Sequence, residues 1–483
     1  MDKIIHNTDT FTTGSFIMNH SAEKYEPFRN SQDLFLTQVN SESLKRELIK
    51  IIEGATTVLK ICSFIITDKE IFEVLLNKAK NDNVAVFILT QLDPTKLSNN
   101  IFLTEEESKE QNENIHLTFI KTLYDNGAHV RASTSAHAKF VIADKSKGFL
   151  MSANITTPSL TYNTESGIYL LNQNVNQLEQ LFDVIFQKGT SYRQYLSSSK
   201  SNKQLVVQNE TTIKEEWLPK SNDSDLKYTY ENMEFSLLNE IIRIIQNSNK
   251  FIYISTYSIV ALQNLENIVF EIKSAVERGV EVFVFSRGMN YRNDHLKACN
   301  ELSKIGCSIY GDVFNHSKAI LNENEGLIFT ANIDGNHGLT NGFEVGCKLT
   351  KTQYSELLDF HKYLIRTSPF VFNPSPVRLE LFKMYEYLEK LKGISPPFFG
   401  DDLVIELKGN VNVKQEELEG QPIFYARSKE SNSEQFLVVS NSTFKINIVN
   451  NIIYINESSK TIYNIDKFLL RYNNLKIKYN NES

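Results

Sequence analysis

The feature that most constrains this chain is a short histidine–lysine pattern that occurs twice. His137-Ala138-Lys139 in the first half reappears as His316-Ser317-Lys318 in the second. Each copy is followed by a hydroxyl residue, an alanine and an asparagine, and then by a glutamate. The two sets are His137, Lys139, Ser152, Asn154 and Glu165, and His316, Lys318, Thr330, Asn332 and Glu344. The repetition predicts that each copy supplies half of one site.

The segments around the two motifs also share an order of helices and strands. In the first half, apolar spacing predicts a helix over 43–53, a strand over 58–66, a helix over 71–80 and a strand over 84–89. The second half repeats this order over 237–245, 251–259, 267–278 and 280–286. Near-continuous apolar strands are typical of a sheet covered by helices on both faces. We therefore predict two related α/β/α sandwich units that form a pseudo-dimer within one chain.

Composition shifts along the chain indicate its domain boundaries. We predict a first unit at 1–196, a linker rich in Ser, Asn and Lys at 197–225, and a second unit at 226–368. Residues 369–483 are predicted to begin with a helix from Val377 to Lys392 and to continue as a small β-rich domain. The first unit has about fourteen extra residues before its motif, and they fall in the acidic stretch 94–114. This stretch predicts a surface loop or an additional helix.

The composition also limits the classes of function. The formal net charge is −7, so the chain has no overall basic field, and a nucleic-acid site would have to be a local patch. Four scattered cysteines show no zinc-binding spacing and indicate a reducing compartment. No segment has the apolar length of a signal peptide or a transmembrane helix. We therefore expect a cytoplasmic protein without stable membrane insertion.

The residue types in the two motifs suit chemistry at a phosphodiester. A His and a Lys two positions apart on a strand project from the same face. Ammonium and amide donors stabilise the charge that grows on a phosphate in the transition state. Two histidines facing one phosphate can act as nucleophile and proton donor, which predicts a phosphohistidine intermediate without a metal or another cofactor. Glu165 and Glu344 are predicted to orient the imidazoles, and the sequence leaves open which glutamate serves which histidine.

Two further residues are candidates for contacting the substrate. Arg287 directly follows a predicted strand, and α/β sheets bind ligands at the carboxyl ends of their strands. His337 lies five residues after Asn332 in a loop rich in Gly and Asn, where it could line the site. The remaining histidines near the repeats, among them His116 and His295, are interpreted as structural residues.

The combined pattern resembles the HKD motif of the phospholipase D superfamily over about residues 40–350. The matching positions are His137, Lys139, Asp144, Gly148, Ser152 and Asn154 in the first copy, and His316, Lys318, Gly326, Thr330 and Asn332 in the second. The second copy departs at Glu323, which stands where the motif has aspartate. The resemblance implies that Asp144 and Glu323 give structural support, that His137 is the nucleophile and that His316 is the general acid.

Members of this superfamily cut nucleic acids, cut phospholipids or transfer phosphatidyl groups, and the motif alone does not choose among these reactions. We favour a nuclease-like member that cleaves DNA or RNA without a metal, in a setting such as antiviral defence. Its β-rich C-terminal region would bind nucleic acid or a protein partner. The alternative is a phospholipase D or phosphatidyltransferase acting on phospholipids. Intact His and Lys in both copies argue against a catalytically inactive scaffold.

Overall fold

The structure is a computed structural model of the 483-residue chain. It describes residues 14–29, 31–39, 41–81, 84–92, 109–133, 135–189, 213–221, 224–290 and 293–377, positions 380, 383, 384 and 387, and strand backbone at 3–6, 192–197, 204–208 and between 403 and 480. The chain forms two compact units. The larger comprises residues 19–288 and 297–371, and the smaller comprises residues 1–18, 289–296 and 372–483.

The first half of the chain alternates strands and helices as its apolar periodicity predicts. In chain order the elements are β1 (Lys3–His6), β2 (Ser15–Met18), β3 (Phe35–Gln38), β4 (Ser41–Glu42), α1 (Ser43–Glu53), β5 (Val58–Cys62), α2 (Lys69–Asn81), β6 (Ala85–Thr90), α3 (Lys109–Asp125), β7 (His129–Ser133), β8 (Phe140–Ala143), β9 (Lys147–Met151), α4 (Thr157–Thr161), β10 (Glu165–Tyr169), α5 (Asn172–Lys188), β11 (Tyr192–Ser197) and β12 (Gln204–Gln208).

The second half repeats this order. Its elements are β13 (Leu226–Tyr230), β14 (Glu234–Phe235), α6 (Ser236–Gln246), β15 (Phe251–Ser255), β16 (Ile259–Val260), α7 (Glu266–Glu277), β17 (Glu281–Arg287), α8 (Asn293–Ile305), β18 (Ser308–Asp312), β19 (Ala319–Asn322), β20 (Gly326–Phe329), β21 (Ile333–Asp334), β22 (Phe343–Lys348), α9 (Lys351–Thr367) and β23 (Phe370–Asn373). Short 3₁₀ turns lie at Glu215–Trp217 and Leu262–Asn264.

The two halves of the larger unit build sheets of the same topology. The first sheet runs β12-β11-β7-β6-β5-β8-β9-β10-β3-β4, and the second contains the order β14-β13-β22-β20-β19-β15-β17-β18-β23. In each, the central strand pairs parallel with the next strand of the α/β unit and antiparallel with the strand after the His-x-Lys motif. The predicted pair of related α/β units is therefore confirmed, including its internal repeat.

A single apolar core joins the two halves. Helix α5 of the first half buries Leu178 and Phe182, and helix α9 of the second buries Leu357 and Phe360, in one cluster. That cluster also contains inward-facing residues from both sheets, such as Phe140. Because apolar area that is removed from water favours the folded state in proportion to its extent, each half depends on the other for a large part of its stability. Both halves of the pseudo-dimer thus belong to one compact unit.

The outer face of the first sheet shows how local sequence sets this packing. The apolar residues of α1 recur every three to four positions, and the helix buries Leu44, Leu48 and Ile52 against the sheet. The helix occupies 43–53, as predicted, and α2 extends the predicted helix at 71–80 by one or two residues at each end. Helix α3 begins at Lys109, within the acidic stretch 94–114, most of which lies outside the described residues.

The smaller unit is rich in β-structure, as predicted. Its strands after the larger unit are β24 (Leu403–Lys408), β25 (Val411–Leu418), β26 (Gln421–Ser428), β27 (Gln435–Val439), β28 (Ser442–Val449), β29 (Ile452–Asn456) and β30 (Asn474–Asn480). Six strands form the sheet β1-β30-β24-β27-β28-β29, and β25 and β26 form a separate hairpin. The smaller unit also contains Asn290, whose amide bonds both backbone groups of Phe16.

The boundaries at 196, 225 and 368 stay predictions. Within the segment 197–225, strand β12 pairs with β11, and Ile213 and Leu218 are buried. Most of the predicted helix from Val377 to Lys392 lies outside the described residues. Over the part of the chain that the structure describes, no helix combines the length and apolarity that crossing a membrane requires. The cytoplasmic location stays a prediction.

Candidate active site

The two His-x-Lys motifs meet where the halves exchange backbone hydrogen bonds. Phe343 of the second half donates its N–H to the carbonyl of Ser135 at 2.9 Å, and the His137 N–H returns a bond to the Phe343 carbonyl at 3.3 Å. At the other end, Thr164 donates to the Phe314 carbonyl, and His316 donates to the Thr164 carbonyl, both at 2.9 Å. Each motif is therefore tied by its backbone to the glutamate-bearing segment of the other half.

This exchange corrects one expectation about the motifs. The histidines and lysines were predicted to lie on strands, but β8 begins at Phe140 and β19 at Ala319, each directly after its lysine. Just before these strands, Ala136 and Asn315 instead form backbone bridges with Phe343 and Thr164 of the other half. The predicted convergence of side chains still occurs, since the Lys139 ammonium nitrogen lies 3.1 Å from His137 Nδ1.

Each motif histidine is held by the glutamate of the other half. His137 Nδ1 lies 2.5 Å from Glu344 Oε1, and His316 Nδ1 lies 2.7 Å from Glu165 Oε1. Both glutamates are fully buried, whereas the side chains of His137 and His316 are 26% and 13% exposed. The exposed part of each ring is thus available to a substrate. The structure resolves which glutamate serves which histidine, and the pairing is crossed.

The hydroxyl residue of each motif positions the glutamate of its own half. Ser152 Oγ donates to Glu165 Oε2 at 2.6 Å, and Thr330 Oγ1 donates to Glu344 Oε2. Each hydroxyl also accepts the backbone N–H of the residue that follows the glutamate, that of Ser166 or of Val345. A buried polar group is stable only when it is bonded, and these bonds leave Oε1 of each carboxylate for the histidine.

Both motif lysines are completely buried beside the histidines. Lys139 donates to the His137 carbonyl, and Lys318 donates to the His316 carbonyl at 2.7 Å. Burial lowers the pKa of Lys139 below its ordinary value, and it lowers the pKa of Lys318 to about 7. A bound phosphate would restore the preference for the charged ammonium, because an opposite charge at close range favours ionisation.

The two asparagines complete the polar lining of the site. Asn154 Oδ1 and Asn332 Oδ1 are buried and have no hydrogen-bond partner among the described residues. A buried amide oxygen without a partner is rare in proteins, and such groups are often part of a functional site. Each asparagine therefore has an amide oxygen to which no described residue donates.

The two His–Glu pairs differ in their protonation. Burial raises the pKa of Glu165 to about 7, and burial also lowers the pKa of His316 well below its ordinary value. Burial opposes ionisation of Glu344 as well, but its interactions with His137 and Lys139 outweigh this and lower the pKa of Glu344. The pKa of His137 is lowered chiefly by burial. The His316–Glu165 pair thus holds one proton more than the His137–Glu344 pair just below neutral pH.

Asp144 and Glu323 lie outside the two His–Glu pairs and bond backbone groups of neighbouring loops. The Asp144 carboxylate accepts backbone N–H bonds from Thr56, Thr57 and Val58 at 2.7 to 3.1 Å. Glu323 accepts from the N–H groups of Asn249 and Lys250 in the corresponding loop of the second half. The longer glutamate side chain thus performs the same task with fewer bonds. Although burial opposes it, bonding to Thr57 and its neighbours lowers the pKa of Asp144.

We expect Asp144→Ala to lower the free energy of unfolding by about 2 kcal/mol and Glu323→Ala by about 1 kcal/mol, because hydrogen bonds to charged groups contribute stability and these carboxylates are partly exposed. Chemical denaturation at pH 7 measures both values. Because folding depresses the pKa of Asp144, its contribution is present above the unfolded pKa of about 4 and declines as the pH falls below it. A difference between wild type and Asp144→Ala that grows in acid would contradict this assignment.

Arg287 lies beside the second histidine. It ends strand β17, is almost completely buried, and places its guanidinium 5.3 Å from the centre of the Tyr257 ring. The Tyr257 ring in turn lies 5.2 Å from that of His316. The charge of Arg287 helps to lower the pKa of His316 and of Lys318, after burial and the lysine charges. The sequence-based candidate therefore adds a cation to the second half of the site.

The described contacts of His337 do not link it to either His–Glu pair. Its side chain is exposed on the turn that follows β21, and its N–H bonds to Asp334 Oδ1 at 3.3 Å. Its role in lining the site stays a prediction.

Two aromatic residues at corresponding positions were not singled out from the sequence. The Phe64 ring packs edge-on against His137 at 5.4 Å, as Tyr257 does against His316. Ser63 and Thr256, which precede them, align the two halves, and the aligned aromatic residues were a signal that could have found them.

His116 bonds the backbone of the loop that follows β5 and contains Phe64. The fully buried ring accepts the Ile66 N–H at Nδ1 (3.1 Å), and its Nε2 lies 2.8 Å from the Gln91 carbonyl. Burial lowers the pKa of His116, so the ring is neutral and can make both bonds at once. It stands 179 positions before His295, the same interval that separates His137 from His316, and His295 is also fully buried.

Comparisons with known proteins bear on the same region. Residues 48–187 match the family model described as "Cardiolipin synthase, PLD-like domain". The comparison with curated proteins returned no match. Across the described residues, no group of three His, Cys, Asp or Glu side chains lies close enough to hold a metal ion.

Three solved structures illustrate what the chain is similar to. Polyphosphate kinase from Porphyromonas gingivalis is 15% identical, with a TM-score of 0.45, over 68% of this chain and 50% of that one, so this chain spans half its length. Phosphatidylserine synthase from Haemophilus influenzae Rd KW20 is 11% identical, with a TM-score of 0.49, over 79% and 96%. Nuc, a phospholipase D family member from Salmonella typhimurium, is 19% identical, with a TM-score of 0.25, over 28% and 90%.

The family match covers the first His-x-Lys set, and the second set enters the same site through crossed His–Glu pairs. Residues 48–187 thus match a PLD-like domain, and in its α/β fold and its doubled HKD motif the chain resembles the phospholipase D superfamily.

Proposed function

We propose that this protein is a nuclease that cleaves DNA or RNA through a phosphohistidine intermediate, without a metal. The observation that carries the proposal is the presence of three cations, Lys139, Lys318 and Arg287, at one site. The ionised Glu344 offsets one of these charges, and one more would match the single charge of an isolated phosphodiester. A third cation suits a polyanion, in which further phosphates flank the one that reacts.

The protonation of the two His–Glu pairs supports the assignment of roles. Ionised Glu344 can only accept, so His137 donates its Nδ1–H to it and keeps a free lone pair on Nε2. Protonated Glu165 can donate to His316 Nδ1, which places the ring proton of His316 on Nε2. His137 is thereby prepared to attack phosphorus, and His316 is prepared to donate a proton.

The reaction then proceeds in two balanced steps. His137 Nε2 forms a bond to phosphorus while the bond to the leaving oxygen breaks, and that oxygen takes the Nε2 proton of His316. The Glu165 proton passes to His316 Nδ1, and Glu344 balances the positive charge on the phosphorylated His137 ring. In the second step His316 Nε2 takes a proton from water, which attacks phosphorus and releases His137. Lys139, Lys318 and the amide N–H groups of the two asparagines stabilise the phosphoryl oxygens in both transition states.

A phospholipid substrate is the second candidate, and one observation favours it. The family model that matches residues 48–187 is described by cardiolipin synthase, a lipid enzyme by name. The same two-histidine chemistry would serve a phospholipase D or a phosphatidyltransferase. In that case a single phosphodiester charge would occupy the site, and Arg287 would contribute little to substrate affinity.

Arg287 provides the test between the two. We expect Arg287→Ala to raise KM for single-stranded DNA or RNA by about tenfold or more, because a cation that pairs with a phosphate is removed. The slope of log KM against log salt concentration should become shallower by about one. Bis(p-nitrophenyl) phosphate carries one phosphodiester, and its turnover by Arg287→Ala reports whether the site is intact. Arg287→Lys, which keeps the charge, should recover most of the affinity.

The assay is run in EDTA with labelled DNA, RNA and phosphatidyl lipids side by side. Cleavage of lipid alone would overturn the nuclease proposal, and loss of all turnover in EDTA would overturn the metal-free mechanism. Equal losses on DNA and on bis(p-nitrophenyl) phosphate in Arg287→Ala would assign Arg287 to the general integrity of the site.

A further inference from the structure

Two backbone bridges join the halves at the active site, Ala136–Phe343 at the first end and Thr164–Asn315 at the second. Different residues flank the two ends. The interval of 179 positions that relates His137 to His316 also relates Ser135 to Phe314. At the first end, Ser135 Oγ donates to Glu231 Oε1 at 2.5 Å and lies 2.9 Å from Ser133 Oγ. At the second end, Phe314 packs edge-on against Tyr162, with ring centres 6.0 Å apart and an angle of 78°. One end is therefore small and acidic, and the other is aromatic.

The backbone pairing at the second end directs Phe314 toward the site. Asn315 is the bridge residue that pairs with Thr164, and its side chain points into the protein, where it donates to the Thr256 and Phe285 carbonyls. Neighbours of an extended residue project to the opposite face, so Phe314 and His316 share the face that carries the catalytic groups. Both rings of the aromatic pair are half-buried, so part of each is open to solvent.

A third residue of this end has an unused polar group. Asn163 lies between Tyr162 and Thr164, is 6% exposed, and has an Oδ1 without a hydrogen-bond partner among the described residues. The same interval of 179 positions relates it to Gly342, which has no side chain at the first end. The aromatic end thus combines two half-buried rings with an amide oxygen to which no described residue donates.

We propose that Tyr162, Phe314 and Asn163 form a subsite for the base of the leaving nucleoside, which rests on the proposed nuclease function. His316 protonates the leaving oxygen, and the attacking His137 lies on the opposite side of phosphorus. The leaving nucleoside therefore departs past His316 and meets the aromatic end. Base stacking on an aromatic side chain is strong and tolerant of sequence, and an amide oxygen can accept from a base N–H. With this subsite, substrate binding depends more on the base of the leaving nucleoside than on the base on the other side of the cleaved linkage.

The experiment compares substrates that lack one base. Short oligonucleotides with a single cleavable linkage carry an abasic residue on one side of that linkage or on the other. Analysis of which product retains the phosphate identifies the leaving nucleoside. We expect loss of the leaving-side base to lower kcat/KM by about tenfold or more, and loss of the other base to change it little.

The variant Phe314→Ala should act on the same interaction. It should lower kcat/KM on the intact oligonucleotide by about tenfold, yet leave turnover of the leaving-side abasic substrate nearly unchanged, because the base that Phe314 contacts is already absent. Phe314→Tyr should retain wild-type selectivity. The matched control is Phe270→Ala, which removes an exposed ring (65% exposed) from helix α7 and should alter neither substrate.

Equal losses on intact and abasic substrates in Phe314→Ala would overturn the subsite, and so would a requirement for the base on the other side. These results differ from failure of the proposed function itself. That failure would appear as turnover of bis(p-nitrophenyl) phosphate by the wild type without cleavage of any oligonucleotide.

Discussion

His137→Asn is expected to lower the rate of phosphodiester cleavage by at least about a thousandfold, because it removes the nucleophile while Glu344 and Lys139 remain in place. Asparagine preserves a hydrogen-bonding side chain of similar reach, so the fold should be retained. Initial rates on bis(p-nitrophenyl) phosphate and on a labelled oligonucleotide measure the loss, and thermal unfolding verifies the fold.

His316→Asn should behave differently on a substrate with a good leaving group. A p-nitrophenolate leaves without a proton, so His137 can still be phosphorylated, whereas hydrolysis of the adduct needs His316 to accept a proton from water. We therefore expect one equivalent of nitrophenolate to be released rapidly, followed by slow turnover. Mass spectrometry of the trapped protein should find the phosphoryl group on the peptide that contains His137.

An adduct on His316 in the wild type or in His137→Asn would reverse the assigned roles. The absence of any adduct in His316→Asn, together with slow single-phase release, would argue that water attacks phosphorus directly. The two variants therefore separate the covalent mechanism from its alternative, and the nucleophile from the acid.

The second large effect concerns the proton of the His316–Glu165 pair. Because burial raises the pKa of Glu165 to about 7, this pair holds its extra proton below pH 7 and loses it above. We expect kcat/KM for an oligonucleotide to fall by about tenfold per pH unit on the alkaline side. Lys318, whose pKa burial also lowers to about 7, loses its charge over the same range and acts in the same direction.

Glu165→Gln distinguishes these two contributions. Glutamine cannot supply a proton to His316, so we expect cleavage of the oligonucleotide to slow by about a hundredfold or more. The alkaline decline that remains would belong to Lys318. On bis(p-nitrophenyl) phosphate the formation of the adduct needs no acid, so the decline in its burst rate should reflect Lys318 in the wild type as well.

Glu344→Gln is the matched control at the other pair. It should slow the attack by His137, because the neutral amide no longer balances the charge on the phosphorylated ring. It leaves the His316–Glu165 proton in place, and the alkaline decline should persist. Loss of the decline in Glu344→Gln but not in Glu165→Gln would mean that the acid and the nucleophile are exchanged between the two pairs.

Much of the fold was predictable from sequence because the periodicity is strong and repeated. Helix α1 occupies 43–53 as predicted, since its apolar residues recur at helical spacing and are buried along one face. The doubled motif brought together His137, Lys139, His316 and Lys318, because both copies lie at equivalent places in two equivalent sheets. Repetition within one chain thus served as a strong internal check on each copy.

The crossed pairing of glutamates and histidines could not be read from the sequence. Glu165 is far closer in sequence to His137 than to His316, yet it binds His316. The crossing depends on backbone pairing between the halves, at Ala136–Phe343 and Thr164–Asn315, which no local pattern encodes. The same pairing explains why the strand prediction for the two motifs was wrong.

The role of His116 was hidden for a different reason. A buried histidine that bonds mainly backbone groups looks like any other core residue in a sequence. Its relation to Phe64, and through that ring to His137, becomes visible only when the loop after β5 is placed in three dimensions.

Because the His–Glu pairs are crossed, the site also depends on the order in which the chain is synthesised. A ribosome completes the first half of the chain, with His137 and Lys139, long before it reaches Glu344. Until that residue emerges, the His137 ring has no acceptor for its Nδ1 proton, and the shared core that encloses both halves is missing. A nascent chain that ends before Glu344 therefore lacks the carboxylate that holds His137, and the site is incomplete until the second half has been synthesised.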